Sequence, residues 1–347
     1  MQEAAKITPP EELSVPLNRL QEYLTQWGEP NMRLNPRWLA KRLDVNEREM
    51  LGALAYAVRN GTVEMLWEAY CPDCGHCLDE FESLRDAVSQ IECGNEGCQQ
   101  YYDMHLDRDV HVTFSVTQRM RRKSGRPGEV IPLTDNTLPP TRGLDLIVIP
   151  AFWDLFAGEC PAANETIRIG RVVILFTDLR GSTAMYADRG DARAYRLVRD
   201  HFAILFQAID RHRGAVIKTI GDAVMATFTS GADAVRAAFD SQVELHARAN
   251  DLGGELALKA GVHAGACLSV TLNERLDFFG TAVNTAARVQ TLSDGNDVVI
   301  TDCVLADLEE DAEDSPHSLY SVETFEATLR GLPAPTRVHR ISGLILH

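Results

Sequence analysis

The chain has 347 residues, which is enough for two or three domains that each bury a core. Hydrophobic residues make up 45% and charged residues 24% of it, the composition of an ordered globular protein, and no apolar run approaches the roughly 20 residues needed to cross a bilayer. The formal net charge of −16 at pH 7 argues against nucleic acid as a general partner.

The N-terminus predicts no export signal. Its sequence, MQEAAKITPPEEL, lacks a basic stretch followed by an apolar one. Five of the eight cysteines form one tight cluster, which favours a metal site in a reducing compartment over a disulfide framework. We therefore expect a cytoplasmic protein with no membrane partner.

Residues 1–70 predict a helical region that resembles a winged-helix unit. Apolar residues recur every three or four positions over 17–27, and Asn35-Pro36 is a helix-start signal. A second helix follows, and 63–67 alternate as a strand. The alternatives are DNA binding and a small packing domain. The second helix carries Glu47 and Glu49 with few basic residues, which favours packing.

Residues 71–116 predict a zinc ribbon. Two cysteine pairs on Gly-containing turns lie about 20 residues apart, the pattern of a closed tetrahedral zinc site with a structural role. His76 and Cys77 are spare candidates that can replace one ligand, and free buried cysteines are the alternative. The best four ligands for one Zn²⁺ are Cys71, Cys74, Cys93 and Cys98.

Residues 117–165 predict a linker followed by a short aromatic helix at 151–156. From 166 to 347 the pattern changes to strands alternating with helices, which predicts an α/β (α+β sandwich) domain with one main sheet. Strands are predicted at 172–176, 215–219, 224–228, 256–263, 268–271 and 298–301, and a last strand pair at 329–341. Helices are predicted at 191–213, 232–249, 281–290 and 302–308.

Two aspartates stand at strand ends in this region. Asp178 follows the strand at 172–176, and Asp222 lies in the tight turn between the strands at 215–219 and 224–228. The turn after Asp178 is rich in small residues and leads into a helix, so its N–H groups can bind an anion. A paired metal and phosphate site is the functional reading. A helix cap or turn former is the alternative for either aspartate.

Five motifs in this half occur in one order: FTDLRGST, KTIGDAVMATF, GVHAG, RLDFFG and TAVNTAARV. Their order and gaps resemble the catalytic domain of the class III nucleotidyl cyclases. The resemblance covers roughly 166–341 and implies the cyclase fold and an enzyme, specifically an adenylate cyclase of bacterial type. The N-terminal half more loosely resembles a zinc-ribbon-bearing region found ahead of some bacterial cyclases, which implies a regulatory role with an unknown ligand or protein partner.

The resemblance also implies roles for individual residues. Two Mg²⁺ or Mn²⁺ ions would be held by Asp178 and Asp222, with the Leu179 carbonyl as a possible third ligand. Asn284 would orient the ribose and Arg288 would meet the charge at the α-phosphate, although an exposed, solvated pair is the alternative. The residues implied to bind the β- and γ-phosphates are Leu179, Gly181, Ser182, Thr183 and Arg330.

Lys218 and Asp277 resemble the family's adenine-reading pair. A lysine can donate to adenine N1 and a carboxylate can accept from the 6-amino group, so the pair favours ATP over GTP. A surface lysine and a turn aspartate are the alternative. In this family each active site is shared across a two-fold dimer, and this chain holds the whole residue set, which implies a homodimer with two complete sites.

The main hypothesis is therefore an enzyme that converts ATP to 3′,5′-cyclic AMP and pyrophosphate. One rival is a regulator that binds DNA or protein and only senses nucleotide through a cyclase-like domain. The other is a cyclase for another nucleotide.

Overall fold

The computed structural model describes residues 9–27, 33–117, 138–156, 158–182, 191–249, 256–310, 320–332 and 334–343. The chain forms two compact units. The first comprises 1–170 and 269–277, and the second comprises 171–268 and 278–347. In the described residues no helix combines the length and apolarity that a bilayer crossing requires. The domain boundaries at 70, 116 and 165 stay a prediction.

In its described residues, the first unit combines five α-helices with a four-stranded sheet and a short two-stranded ribbon. Asn35 begins α2 as predicted, because its side chain accepts from the backbone N–H groups of Arg37 and Trp38. The sheet order is β1-β6-β2-β3, and β4 pairs with β5. The helices are α1 (Ser14–Trp27), α2 (Pro36–Leu43), α3 (Glu47–Arg59), α4 (Gly143–Ile147) and α5 (Pro150–Leu155). The strands are β1 (Arg33–Leu34), β2 (Val63–Tyr70), β3 (Cys77–Phe81), β4 (Gln90–Glu92), β5 (Tyr101–Asp103) and β6 (Val110–Val116).

The core of the first unit lies between its sheet and its helices. Trp67 of β2 is fully buried and meets the ring of Phe152 of α5 edge to face, with centroids 6.5 Å apart. Eight consecutive residues of α3, from Met50 to Ala57, are buried. A helix that is apolar around its whole circumference must be covered on all sides, which explains its central place.

An eight-stranded sheet carries the cyclase-like motifs. Its order is β13-β14-β12-β10-β7-β9-β8, with β11 paired to β10. The strands are β7 (Ile167–Leu179), β8 (Ala215–Ile220), β9 (Ala223–Phe228), β10 (Leu258–Leu272), β11 (Arg275–Phe279), β12 (Asp297–Thr301), β13 (Tyr320–Ala327) and β14 (Thr336–Gly343). The helices are α6 (Asp191–Arg211), α7 (Gly231–Ala247), α8 (Thr281–Thr291) and α9 (Asp302–Glu310).

The sheet of the second unit separates two apolar clusters. Val298 and Ile300 of β12 lie in the larger cluster with residues of α6, α7 and α9. Val299, between them, packs instead in a smaller cluster that includes Val289 of α8. Neighbouring residues of a strand point to opposite faces, so helices cover both sides of β12. The expected α/β fold with one main sheet is confirmed.

Two details of the predicted strands were wrong. The predicted strands at 256–263 and 268–271 are one continuous strand, β10, because the small residues between them continue the extended backbone. The last strand pair consists of β13 and β14, paired from Tyr320↔Gly343 to Ala327↔Thr336, so its first strand begins earlier than expected. The acidic residues of β13 concealed its alternating pattern.

Candidate active site and cysteine cluster

The two strand-end aspartates lie side by side. Strands β7 and β9 are antiparallel, and Thr177 is opposite Val224. Continuing this register brings the end of β7 to the β8–β9 turn, where the backbone N–H of Leu179 donates to Asp222 Oδ2 at 3.3 Å. Gly221 forms this turn with a positive φ of 65°, which a side chain would strain. Asp222 is buried, and Asp178 is half-buried.

The electrostatics of this pair suit a cation. Burial raises the pKa of Asp178, and the charge of Asp222 together with a hydrogen bond between the two carboxyl groups raises it further. Lys259 and the backbone N–H of Leu179 act in the opposite direction. Two carboxylates that repel each other in a partly desolvated place gain most from an ion that both can bind. The donor set therefore fits Mg²⁺ or Mn²⁺.

The turn after Asp178 exposes backbone to a ligand. Leu179 is buried, whereas Arg180 and Gly181 are exposed. Gly181 has a positive φ of 72°, a conformation that favours glycine. Ser182 begins the following helical turn, and Thr183 lies outside the described residues. In the described part of the turn, the N–H groups of Leu179 and Arg180 are bonded to Asp222 and Ala257, so Gly181 and Ser182 are the candidates for binding an anion.

Asn284 and Arg288 lie on one face of α8. They are four residues apart, and the opposite face of the helix buries Ala282, Ala286 and Val289. Asn284 is exposed and Arg288 is half-buried. The guanidinium of Arg288 lies against Gly331, where a Cβ atom would be only 3.3 Å from Nη2. The segment that carries Arg330 therefore contacts the predicted catalytic arginine.

The two predicted base-reading residues belong to different units. Lys218 is half-buried on β8, at an irregularity where the pairing with β9 shifts between Val216 and Lys218. Asp277 is 7% exposed on β11, in the segment 269–277 that belongs to the first unit. Their joint role stays a prediction.

The cysteine cluster has the dimensions of a zinc site. The Sγ atoms of Cys71, Cys74, Cys93 and Cys98 all lie within 4.8 Å of one another. Cys71 Sγ is 3.7 Å from Cys98 Sγ, and Cys74 Sγ is 3.6 Å from Cys93 Sγ. Thiolates about 2.3 Å from a tetrahedral zinc lie about 3.8 Å apart, so the four sulphur atoms fit that ion.

The spare candidates lie outside this group in the described part of the chain. Cys77 Sγ donates to the backbone oxygen of Asp79 at 3.7 Å. The backbone oxygen of His76 accepts from the N–H of Cys71 at 2.8 Å, so His76 helps to form the first turn through its main chain. Tyr102 supports the second turn, with Oη 3.0 Å from Cys98 Sγ and 2.7 Å from Asp73 Oδ2.

Comparison with known proteins shows which protein family the second half of the chain resembles. Residues 165–332 match the family described as "Adenylate and Guanylate cyclase catalytic domain", a range that contains every predicted nucleotide-site residue. Residues 165–332 therefore carry a cyclase catalytic domain of the adenylate and guanylate cyclase type. Residues 23–137 match a "Family of unknown function (DUF5939)".

Individual relatives carry cyclase names. An "Adenylate cyclase" from Anabaena cylindrica is 32% identical over 255 residues, which are 67% of this chain and 49% of that protein. "Adenylate cyclase 2" from Rhizobium meliloti is 30% identical over 132 residues, or 35% of this chain and 36% of that protein. An adenylate cyclase structure from Trypanosoma brucei covers 50% of this chain and 89% of its own, with 24% identity and a TM-score of 0.44. The chain thus spans half or less of the length of these curated relatives.

Two further residues of the cyclase domain interact electrostatically with Asp178 or Asp222, and the sequence pattern did not identify them. Lys259 lies on β10, the strand next to β7, and its charge acts on Asp178. The sequence signal for Lys259 was its position two residues before Gly261 of the GVHAG motif.

His201 of α6 is fully buried, with Nδ1 2.7 Å from the backbone oxygen of Val198. Burial lowers the pKa of His201, while the charge of Asp222 opposes that effect. Its place on the apolar face of α6 was the available signal.

Proposed function

We propose that the protein is an adenylate cyclase that converts ATP to 3′,5′-cyclic AMP and pyrophosphate. The observation that carries the proposal is the convergence of Asp178 and Asp222 within a cyclase catalytic domain. The two carboxylates and the Leu179 carbonyl would hold two Mg²⁺ or Mn²⁺ ions. When bound, these ions supply Lewis-acid activation of the ribose 3′-hydroxyl and neutralise phosphate charge.

The remaining residues would position the nucleotide and stabilise charge. Asn284 would orient the ribose, and the fixed guanidinium fork of Arg288 would stabilise the charge that develops at the α-phosphate. Arg330, exposed beside Gly331, would bind the phosphate chain as a further cation. The N–H groups of Gly181, Ser182 and Thr183, with the Ser182 and Thr183 hydroxyls, would bind the β- and γ-phosphates, because the N–H groups of Leu179 and Arg180 are bonded to Asp222 and Ala257.

ATP is the proposed substrate for two reasons. Lys218 and Asp277 have the donor and acceptor that adenine requires at N1 and the 6-amino group. The two curated relatives described above are both named adenylate cyclases. A preference for GTP would require a different pair, because guanine presents a carbonyl and a protonated N1 at the same edge.

The proposed active unit is a homodimer. Each site would combine the aspartates of one subunit with Asn284 and Arg288 of the other, so a symmetric dimer would contain two complete sites. The cytoplasmic location and the regulatory role of the N-terminal unit stay predictions.

The N-terminal unit is proposed to bind one structural Zn²⁺ per chain. The sulphur–sulphur distances of 3.6 and 3.7 Å support this proposal, since they match the edges of a zinc–thiolate tetrahedron. Four thiolates leave no open position on the ion, so the site would serve stability and not catalysis.

The test of function is an assay with each of the four nucleoside triphosphates and Mg²⁺ or Mn²⁺, with products identified by mass spectrometry. We expect 3′,5′-cyclic AMP and pyrophosphate from ATP, and near-complete loss of product in Asp222→Ala. Asp200→Asn, an exposed change on α6, is the matched control and should stay active. Binding of ATP without any product would favour a nucleotide sensor, and turnover of another nucleotide alone would overturn the ATP assignment.

A further inference from the structure

The side chain of Arg180 leaves the turn at 179–181 and bonds to another loop of the second unit. Its backbone N–H donates to the oxygen of Ala257 at 2.9 Å, next to β10. Its Nη1 donates to the backbone oxygen of Asp294 at 3.0 Å. Main chain and side chain therefore both connect the turn at 179–181 to neighbouring segments of the second unit.

The loop that receives Arg180, residues 292–296, is built around a buried carboxylate. Asp297 is 5% exposed and accepts from the N–H groups of Asp294, at 3.2 Å, and Gly295, at 3.0 Å. Arg340 Nε lies 2.9 Å from Asp297 Oδ2. These bonds tie the backbone of the loop to Asp297 at Asp294 and Gly295, the segment whose Asp294 oxygen accepts from Arg180.

Gly295 leaves the space that the arginine stem occupies. It has a φ of 97°, and a Cβ atom there would lie 3.0 Å from Ala257 Cβ and 3.5 Å from Arg180 Cδ. A side chain at 295 would therefore be strained by its backbone and would press on Ala257, while it would only touch the stem of Arg180.

The same loop begins where α8 ends. The backbone oxygen of Thr291, the last residue of α8, accepts from Lys259 Nζ at 3.2 Å. The loop thus joins the helix of Asn284 and Arg288 to the segment that fixes the turn after Asp178.

We propose that Arg180 is a positioning residue. It holds the 179–181 turn against the 292–296 loop, so that the Leu179 carbonyl faces the metal and the N–H groups that follow Arg180 face the phosphates. This rests on the proposed cyclase function. Arg180 does not itself contact the substrate; it acts through the backbone of the turn.

Steady-state kinetics of Arg180→Ala provide the first test. We expect the KM for ATP and the half-saturating metal concentration each to rise by about tenfold, with a smaller change in kcat, because a mispositioned turn weakens ground-state binding. Arg180→Lys, which can still donate to the carbonyl, should recover part of the loss. Arg199→Ala is the matched control, since this exposed arginine pairs with Asp200 of its own helix. Unchanged KM and metal dependence in Arg180→Ala would overturn the proposal.

A double-mutant cycle separates positioning from direct phosphate binding. Gly295→Ala perturbs the acceptor side of the same contact, so its effect and that of Arg180→Ala should be strongly non-additive. Additive effects would show that Arg180 acts on the nucleotide directly and would overturn the proposal.

Hydrogen exchange keeps this inference separate from the cyclase assignment. The backbone amide of residue 180, after correction for its intrinsic exchange rate, should be less protected in Arg180→Ala and in Gly295→Ala than in the wild type, whether or not nucleotide is turned over. If the wild type makes no cyclic nucleotide, the function fails while the exchange result still decides the structural part. Unchanged exchange in both variants would contradict the positioning role.

Discussion

At the scale of single residues, Asp178 and Asp222 differ in burial although both end strands of one sheet. Asp222 is buried and accepts the N–H of Leu179, while Asp178 is half-buried and has its pKa raised by burial and by its neighbour. Asp222 is held in place by this hydrogen bond, and the ionised form of Asp178 is disfavoured. A divalent cation bound by both carboxylates would offset the repulsion between them. Other residues at this scale act through the space that they leave, and Gly331 does so beside Arg288.

Gly331→Ala should reduce kcat about tenfold with a smaller change in KM, because the displaced Arg288 is proposed to act mainly on the transition state. The substitution puts a Cβ atom 3.3 Å from Arg288 Nη2 and strains a φ of 81°. Steady-state kinetics measure the changes in kcat and in KM separately. Gly158→Ala, whose Cβ would have no neighbour nearer than 4.0 Å, is the control. A lower melting temperature with unchanged kcat would count against the contact.

The buried His263 should make the free energy of unfolding depend on pH. Burial lowers its pKa to about 4, against about 6.5 in an unfolded chain. Between these values the unfolded state binds a proton that the folded state does not, so the free energy of unfolding falls as pH drops through 6.5 and levels off below about 4. From pH 7.5 to pH 5 this group should contribute a loss of about 2 kcal/mol.

Denaturant unfolding of wild type and His263→Asn at both pH values measures that contribution. The variant should lose less stability on acidification than the wild type. His246→Asn, which changes an exposed histidine, should keep the wild-type slope. Equal slopes in all three proteins would show that His263 is not responsible.

At the scale of elements, strand β5 connects the cysteine cluster to the start of β7 within the first unit. Tyr102 lies beside Cys98 Sγ, and the next residue, Asp103, forms an ion pair with Arg168 at 3.0 Å. Gly170 N–H donates to Asp107 Oδ1 at 2.8 Å. The first residues of β7 are therefore held by the segment that closes the cysteine cluster.

Cys98→Ser should abolish stoichiometric zinc binding and lower the melting temperature of the first unit, because metal binding and folding of such a site are coupled. Cys77→Ser is the matched control, since Cys77 Sγ bonds to Asp79 and lies outside the four-sulphur group. Elemental analysis and thermal unfolding of protein purified without chelator provide the measurements. Protein that contains no zinc before mutation would refute the proposal.

At the scale of the whole molecule, the proposed sites require two copies of the chain. Asp222→Ala and Arg288→Ala should each inactivate the homodimer, because both of its sites then lack one group. In a mixed dimer one site has both defects and the other has neither. Random mixing gives about half mixed dimers with one good site each, so activity should return to roughly a quarter of the wild type.

Co-expression of the two variants with different affinity tags measures this recovery in the unselected mixture. Dimers purified through both tags are all mixed and should therefore reach about half of the wild-type activity. Asp222→Ala co-expressed with a second copy of itself that carries the other tag is the control and should stay inactive. Mixed dimers that form and show no activity would exclude sites shared between subunits.

The sequence by itself determined the elements whose causes are local. Alternating and helical periodicities predicted β7, β8, β9 and α6, and Asn35-Pro36 predicted the start of α2, because caps and amphipathic faces depend on residues a few positions apart. Ordered motifs identified the candidate residues of the nucleotide site. Paired cysteines on turns identified the four cysteines whose sulphur atoms lie together.

Tertiary structure decided what depends on contacts between distant segments. The direction of Arg180 towards Asp294, the place of Lys259 beside Asp178, and the space that Gly331 leaves for Arg288 all join residues more than 40 positions apart. The continuity of β10 and the early start of β13 likewise follow from pairing with neighbouring strands. The local preferences of a sequence do not reveal these partners, because sheet order and packing bring them together only in the folded chain.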